Sequence, residues 1–252
     1  SDTSAVALAI AVQADQCDFS TDVVGVFTTD PRVVPRARKI DRISHEEMLE
    51  LASLGAKALQ TRSVSLAARY DMPLRVLSSL EAKPGTTVCK EEDIMETKVV
   101  SGVAFSRDEA KITLVDIPDR PGVASAIFNA LGAINVDMIV QSRTAQDDTT
   151  DLTFPVSRAD FSRAHAQLIA AADEIGYELM DTDNKVCKVS IVGTGMKSAT
   201  GVAQTMFREL AAKGINIQVI TTSEIKVSVL ISADYKELAV RALHTAFGLD
   251  AA

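Results

Sequence analysis

Residues 111–142 read KITLVDIPDRPGVASAIFNALGAINVDMIVQS, and residues 188–223 read KVSIVGTGMKSATGVAQTMFRELAAKGINIQVITTS. Three residue types recur at offsets of 77, 79 and 81, in the pairs Lys111 and Lys188, Gly122 and Gly201, and Asn135 and Asn216. Each copy predicts a strand, a glycine-containing loop, a helix, two strands and a second helix. A near-constant offset across the whole pattern indicates a duplicated βαββα unit.

The second copy ends after its last helix without a clear final strand. The stretch VVSGVAF, which precedes the first copy, is a strand without a partner of its own. We therefore predict two ferredoxin-like βαββαβ domains, the first inserted into the second. The first spans residues 111–183, and the second combines residues 99–106 with residues 187–250.

Residues 1–93 form a separate α/β section. AVALAIAVQA predicts a buried helix, capped by Ser1 or Thr3, and CDFSTDVVGVF predicts a strand. Ser44 and Glu47 have the spacing of a capping box, and Gly55 separates two helices. MPLRVLSS predicts the next strand, which completes an α/β crossover.

Composition narrows the possible functions. The 252 residues carry a net charge of −8, with 4% aromatic residues and no Trp, which disfavours nucleic-acid binding. The three cysteines and three histidines are scattered, so we expect no metal site and reduced thiols in a cytoplasmic protein. No apolar run is long enough to span a membrane, which takes about 18 residues.

Both repeat loops precede a helix. GTGM at 193–196 is a poor dinucleotide motif, because its third glycine position is Ser198 and a ββα unit follows. Free N–H groups at such a loop can still hold the carboxylate of a small ligand. DRPGVA has the same position in copy one, so each copy offers a notch of amino-acid size. A purely structural loop is the open alternative.

Several stretches of residues 1–93 resemble consecutive motifs of aspartate kinases: SDTSAVALAIA, TDVVGVFTTDPR, ISHEEMLELASLGAKALQTRSV and PLRVLSS…PGT. The paired repeats, with DRPG, NVDM and TTSEI, resemble the two regulatory ACT domains of that family, most closely its lysine- and threonine-sensitive bacterial type. The resemblance covers essentially the whole chain. It implies that residues 1–93 are the later part of an amino-acid-kinase α/β sandwich. The family's K-F-G-G motif, with its catalytic lysine, and most of G-R-G-G-S-D are absent, so we expect a fragment that is inactive alone.

The resemblance implies transfer of the γ-phosphoryl group of ATP, with Mg²⁺, to the side-chain carboxylate of L-aspartate. Ser1 would then lie at the aspartate site and Asp2 near the transferring phosphoryl group. The implied ATP-binding residues are Thr21, Asp22, Phe27, Arg32, Lys57 and Ala58. Structural alternatives are a strand corner at Thr21 and Asp22, a solvated charge at Arg32 and a helix-end cation at Lys57. Val24 replaces the second acid of the family pattern T-D-V-D-G-V, and we expect this change to weaken ATP handling.

The resemblance also implies feedback by lysine, threonine or both at the ACT domains, and self-association through them. In copy one the implied effector residues are Ile117, Asp119, Gly122, Val123, Ala124, Asn135, Val136, Asp137, Gln141 and Ser142. In copy two they are Met196, Gly201, Val202, Asn216, Ser223 and Glu224. Asp137 would pair with the effector's ammonium group. Two other functions remain open: a non-catalytic amino-acid-sensing subunit and, through GTGM, a nicotinamide enzyme.

Overall fold

The computed structural model describes residues 1–56, 58–94, 98–144 and 148–250, whose strands form three four-stranded sheets. The first sheet has the order β1-β3-β4-β2 and comprises β1 (Cys17–Thr21), β2 (Arg42–Ser44), β3 (Leu74–Ser78) and β4 (Thr86–Cys89). Its helices are α1 (Asp2–Ala11), α2 (His45–Ser53) and α3 (Thr61–Arg69). Strands β1 and β3 are parallel, and their buried residues share one core with the helices.

Local sequence explains where these elements begin and end. The capping box is confirmed, because Ser44 Oγ accepts the Glu47 N–H and Glu47 accepts the Ser44 N–H. Gly55, with φ +102°, follows the end of α2 as expected. The prediction that the first strand continues to Phe27 is wrong. It ends at Thr21, because the Thr21 hydroxyl accepts the Val23 N–H and turns the chain.

Copy one follows strand β5 (Gly102–Ser106) and forms a sheet of its own. The sheet has the order β7-β8-β6-β9, with β6 (Ala110–Pro118), β7 (Val140–Thr144), β8 (Thr149–Val156) and β9 (Leu179–Asp183). Helices α4 (Val123–Leu131), α5 (Arg158–Ala170) and α6 (Ala172–Ile175) accompany it. Phe154 and Leu168 are fully buried in its core.

Copy two completes the third sheet, in the order β11-β12-β10-β5. It contains β10 (Val186–Val192), β11 (Ile217–Thr222), β12 (Lys226–Ser232) and helices α7 (Val202–Ala212) and α8 (Lys236–Ala246). Strand β5 pairs antiparallel with β10, with Val103 opposite Ile191. The predicted insertion of copy one into copy two is therefore confirmed.

The two copies differ where a strand was expected after the first helix. Strand β11 begins at Ile217, directly after Asn216, whereas β7 begins only at Val140, five residues after Asn135. Before β7, Met138 is buried against Val219 and Leu230 of copy two. This packing draws the chain away from its own sheet. Among the described residues, no helix is both long and apolar enough to cross a membrane.

The core of copy one gives a direct test of the fold. Phe154→Ala removes a ring with 0% exposure, and we expect a loss of about 3–5 kcal/mol in the free energy of unfolding. Ile169→Ala, on the exposed face of α5 at 54% exposure, serves as the control and should change stability by less than about 0.5 kcal/mol. Urea titration measures both. Equal losses would contradict the assignment of Phe154 to the core.

Candidate nucleotide and effector sites

Thr21 and Asp22 lie together at one edge of the first sheet. The Thr21 hydroxyl donates to Asp22 Oδ1 at 3.1 Å, while Ser79 N–H donates to the Thr21 carbonyl at 2.7 Å. Because β1 and β3 are parallel, their carboxyl ends meet at this edge, which is where α/β sheets bind ligands. The exposed Asp22 carboxylate and the bend after it, which contains Val24, are thus well placed for a nucleotide.

The other expected nucleotide residues are more dispersed. Phe27 forms an isolated antiparallel β-bridge with Lys39. The Lys39 ammonium in turn donates to the Gly85 carbonyl at 2.8 Å. Ala58 is half-buried against the first core, between α2 and α3. Lys57 lies outside the described residues. Among the expected nucleotide residues that the structure describes, Thr21 and Asp22 are the pair in direct contact.

Arg32 is held by its neighbour Asp30. Its guanidinium contacts the Asp30 carboxylate at 2.8 Å, and the Arg32 side chain is 88% exposed. Hydrogen bonding from Arg32 lowers the pKa of Asp30. The next residue, Val33, is buried against copy two, and its carbonyl accepts Arg241 Nε at 3.0 Å. Arg32 thus stands beside the junction with copy two, with its charge already paired.

Ser1 and Asp2 begin helix α1. Ser1 occupies the cap position but makes no side-chain cap bond, and its hydroxyl donates to Asp2 Oδ1 at 3.3 Å. Ser1 is exposed and Asp2 half-buried. Within the described parts of the chain, no three His, Cys, Asp or Glu residues converge as metal ligands.

The expected effector residues of copy one surround an open loop. Gly122 caps α4 with φ +96°, and a Cβ placed there would have no neighbour within 4 Å. Ile117 is buried, and Val123 and Val136 are half-buried beneath the loop. The exposed members are Asp119, Gly122, Ala124, Asn135, Asp137, Gln141 and Ser142. Exposed polar side chains thus lie beside a few buried or half-buried apolar ones.

Asp137, expected to pair with an effector ammonium, contacts an ammonium of its own chain. Lys188 Nζ lies 2.7 Å from Asp137 and 3.0 Å from Glu109. Burial raises the pKa of Glu109 despite the nearby ammonium. Burial alone would lower the pKa of Lys188, but the two carboxylates outweigh it and raise that pKa. The three groups connect copy one to the first strand of copy two.

The expected effector residues of copy two lie closer to the first sheet. Met196 is half-buried in the single 3-10 turn Thr194–Lys197, and Gly201 caps α7 with φ +80° beside the buried Val202. The Gly193 N–H donates to the Ile225 carbonyl at 2.9 Å, which ties this loop to the turn containing Ser223 and Glu224. Asn216, Ser223 and Glu224 are exposed.

The glycines of GTGM have a packing role. A Cβ at Gly193 would lie 2.3 Å from the Val99 carbonyl oxygen, and one at Gly195 would lie 2.5 Å from that of Lys98. The loop therefore needs glycine because the segment before β5 crosses it closely. This contact explains the motif without a dinucleotide.

Two contacts across the junction had no signal in the sequence. Glu47, recognised only as part of a capping box, also accepts hydrogen bonds from Ser101 and Thr194. His244 on α8 lies 2.9 Å from the Thr28 hydroxyl, and burial lowers the pKa of its imidazole. Neither pairing follows from spacing along the chain, because the partners are 54 to 216 residues apart.

Two family models match the chain. One, described as the amino acid kinase family, covers residues 1–78, and the other, described as the ACT domain, covers residues 112–171 and 189–247. The described fold agrees with both. The chain therefore combines part of an amino acid kinase domain with two ACT domains.

Curated relatives define the family further. An aspartate kinase of Pseudomonas putida is 56% identical over 254 residues, which cover 100% of this chain and 62% of the relative. An aspartokinase of Mycolicibacterium smegmatis is 48% identical, with 99% and 60% covered. The chain thus spans 62% and 60% of the length of these two relatives.

Solved structures similar to this chain are also aspartokinases. Escherichia coli aspartokinase III in complex with aspartate and ADP is 28% identical with a TM-score of 0.83, over 97% of this chain and 55% of that one. A chain from the structure of aspartokinase alpha and beta subunits is 50% identical with a TM-score of 0.56, over 59% of this chain and 99% of that one. The chain belongs to the aspartate kinase family.

The buried ion cluster between the copies can be tested with a matched pair of variants. Lys188→Met leaves Glu109 buried without its cation, so we expect a loss of about 3–5 kcal/mol in the free energy of unfolding. Lys111→Met alters the equivalent residue of copy one, which is 3.9 Å from Asp181, and should cost less than about 1 kcal/mol. Urea titration distinguishes the two. Similar small losses would show that the cluster does not join the copies.

His244 predicts a pH dependence. Because burial lowers its pKa below the ordinary 6.5, the unfolded chain binds more protons than the folded chain in acid. The contribution of His244 to stability should therefore fall as the pH drops below 6.5 towards the folded pKa. We expect His244→Gln to show a smaller loss of stability between pH 7 and pH 5 than the parent. His165→Gln, on α5, is the control, and an unchanged slope in His244→Gln would refute the prediction.

Proposed function

We propose that the protein containing this chain is an aspartate kinase. It transfers the γ-phosphoryl group of ATP, taken as its Mg²⁺ complex, to the side-chain carboxylate of L-aspartate. The carboxylate oxygen attacks the γ-phosphorus and ADP leaves, which begins the synthesis of lysine, threonine and methionine. The observation that carries the proposal is 56% identity to the Pseudomonas putida aspartate kinase over the whole chain.

The geometry supports the nucleotide side of this proposal. Thr21 and Asp22 lie at the carboxyl ends of parallel strands, and phosphoryl transfer depends on positioning and on neutralising charge. In this proposal Mg²⁺ enters the site bound to the nucleotide. Ser1, Asp2, Phe27, Arg32, Lys57 and Ala58 remain proposed contacts. A cytoplasmic location is also proposed, consistent with three free, buried cysteines.

We further propose feedback inhibition at the ACT domains by lysine, threonine or both, with self-association through these domains. The exposed loop at the start of α4, where Gly122 leaves space for an approaching group, supports copy one as a receptor for a small amino acid. Escherichia coli aspartokinase III, solved with lysine and aspartate, is 28% identical with a TM-score of 0.77. In copy one of this chain, an effector must displace Lys188 from Asp137 or bind beside that pair.

A second candidate is a non-catalytic, amino-acid-sensing subunit. A regulatory subunit of aspartate kinase from Thermus thermophilus is 41% identical with a TM-score of 0.56, over 60% of this chain and 99% of that one. Calorimetry of this 252-residue chain with lysine and threonine tests sensing. Heat from either amino acid supports it, and none from both excludes it.

The kinase proposal is tested in a polypeptide with a complete kinase domain, by trapping aspartyl phosphate as its hydroxamate. Asp22→Asn should raise KM for ATP by about tenfold, because one charge-assisted contact is lost. Asp18→Asn, on β1 and paired with Arg75, is the control and should leave KM unchanged. Absence of any hydroxamate from the parent enzyme would refute the proposed activity.

A further inference from the structure

The Glu47 carboxylate joins three segments of the chain. It is 3% exposed, and its Oε2 accepts the N–H and hydroxyl of Ser44, each at 3.1 Å. Its Oε1 accepts the Ser101 hydroxyl at 2.6 Å, the Thr194 N–H at 2.9 Å and the Thr194 hydroxyl at 3.4 Å. All of these partners donate, so both oxygens act as acceptors.

Ion pairs on either side orient the same helix. Glu50 of α2 lies 2.7 Å from Lys226 of copy two, with both side chains about three-quarters buried. Glu46 lies 3.3 Å from Lys197, which also contacts Glu91 at 2.8 Å. The more exposed pair, Glu46 with Lys197, contributes little by itself. Together the pairs show that the acidic face of α2 is matched to cations of copy two.

We call the contacts of Glu47 with Ser101 and Thr194 the joint, and a candidate site lies on each side of it. Helix α2 leads through Gly55 to Ala58, in the segment proposed to line the nucleotide site. Thr194 opens the turn that contains Met196, and the neighbouring Gly193 is bonded to the turn of Ser223 and Glu224. A displacement of the copy-two loop must therefore change the hydrogen bonds of Glu47.

The equivalent position of copy one has a different environment. Its residue at the position of Thr194 is Ile117, which has 1% exposure and pairs with Thr150 inside its own sheet. Ile117 has no side-chain hydroxyl to donate, so the duplicated loops have diverged at this position.

We infer that Glu47 is a positioning residue that couples the copy-two loop to helix α2, and through it to the nucleotide side of the kinase segment. The inference rests on the proposed function, because it assigns a route for the proposed feedback. Effector binding that moves the Thr194 loop changes the free energy of this joint, and such a difference between two states is what allostery requires.

The test in the complete enzyme uses two variants and two controls. Glu47→Gln turns an amide N–H₂ towards donors, and Ser101→Ala removes the shortest bond of the joint. Both should raise the lysine or threonine concentration for half-inhibition by at least about fivefold, with kcat within about twofold. Ser53→Ala, which removes an exposed hydroxyl at the end of the same helix, and Glu46→Gln, which weakens only a partly exposed ion pair, should leave inhibition unchanged. Unchanged inhibition in Glu47→Gln and Ser101→Ala, or equal loss in the controls, overturns the inference.

Hydrogen exchange of this chain gives a readout that does not depend on activity. The Thr194 amide should exchange at least about fivefold faster in Glu47→Gln than in Glu46→Gln. Adding lysine and threonine should change the exchange of α2 amides in the parent but not in Glu47→Gln. An equal response in both proteins, or no response in the parent, overturns the coupling even if the enzyme is active. The expected response with no kinase activity supports the coupling and refutes only the proposed reaction.

Discussion

The segment at residues 98–106 belongs to two parts of the molecule at once, and this double role constrains the rest of the fold. As strand β5 it forms the edge of the copy-two sheet. On its other side the Val103 N–H donates to the Thr28 carbonyl at 2.7 Å, and Ala104 is buried in the core of the kinase segment. The backbone of Lys98 and Val99 also packs closely against the GTGM loop, and Ser101 donates a hydrogen bond to Glu47. Copy two and the kinase segment are therefore packed as one unit.

Duplication supplied two similar ACT domains, and a few substitutions gave them different neighbours. Lys111 contacts Asp181 at 3.9 Å on the surface of copy one, whereas the equivalent Lys188 is 7% exposed between two carboxylates. In copy two, Gly193 and Thr194 after the first strand are buried, and Thr194 bonds to Glu47 of the kinase segment. Copy two is thus attached to the kinase segment.

Much of this organisation could be predicted from the sequence. The constant offset revealed the repeat, and the missing final strand of copy two revealed the insertion. Ser44 and Glu47 marked the start of α2, because capping depends only on local spacing. The end of β1 at Thr21 and the late start of β7 were missed, because a hydroxyl turn and the burial of Met138 overrode strand propensity.

For the candidate sites too, contacts between neighbours in sequence could be predicted, and contacts that depend on tertiary packing could not. Thr21 and Asp22 lie together because they are adjacent in sequence, whereas the pairing of Asp137 with Lys188 spans 51 residues and was not foreseen. The contact between Glu47 and Thr194 spans 147 residues and depends on how two domains pack. No periodicity in the chain encodes such a contact.

The Glu47 carboxylate and Ser101, in the segment before β5, should stabilise their contact cooperatively, because they share a hydrogen bond of 2.6 Å. The most direct measurement is a double-mutant cycle in this chain, combining Glu47→Gln with Ser101→Ala and measuring the free energy of unfolding of all four proteins. The joint predicts that the two losses are not additive, with a coupling energy of about 1 kcal/mol or more. Losses that add to within about 0.3 kcal/mol would show that the two residues act independently, and would contradict a cooperative joint.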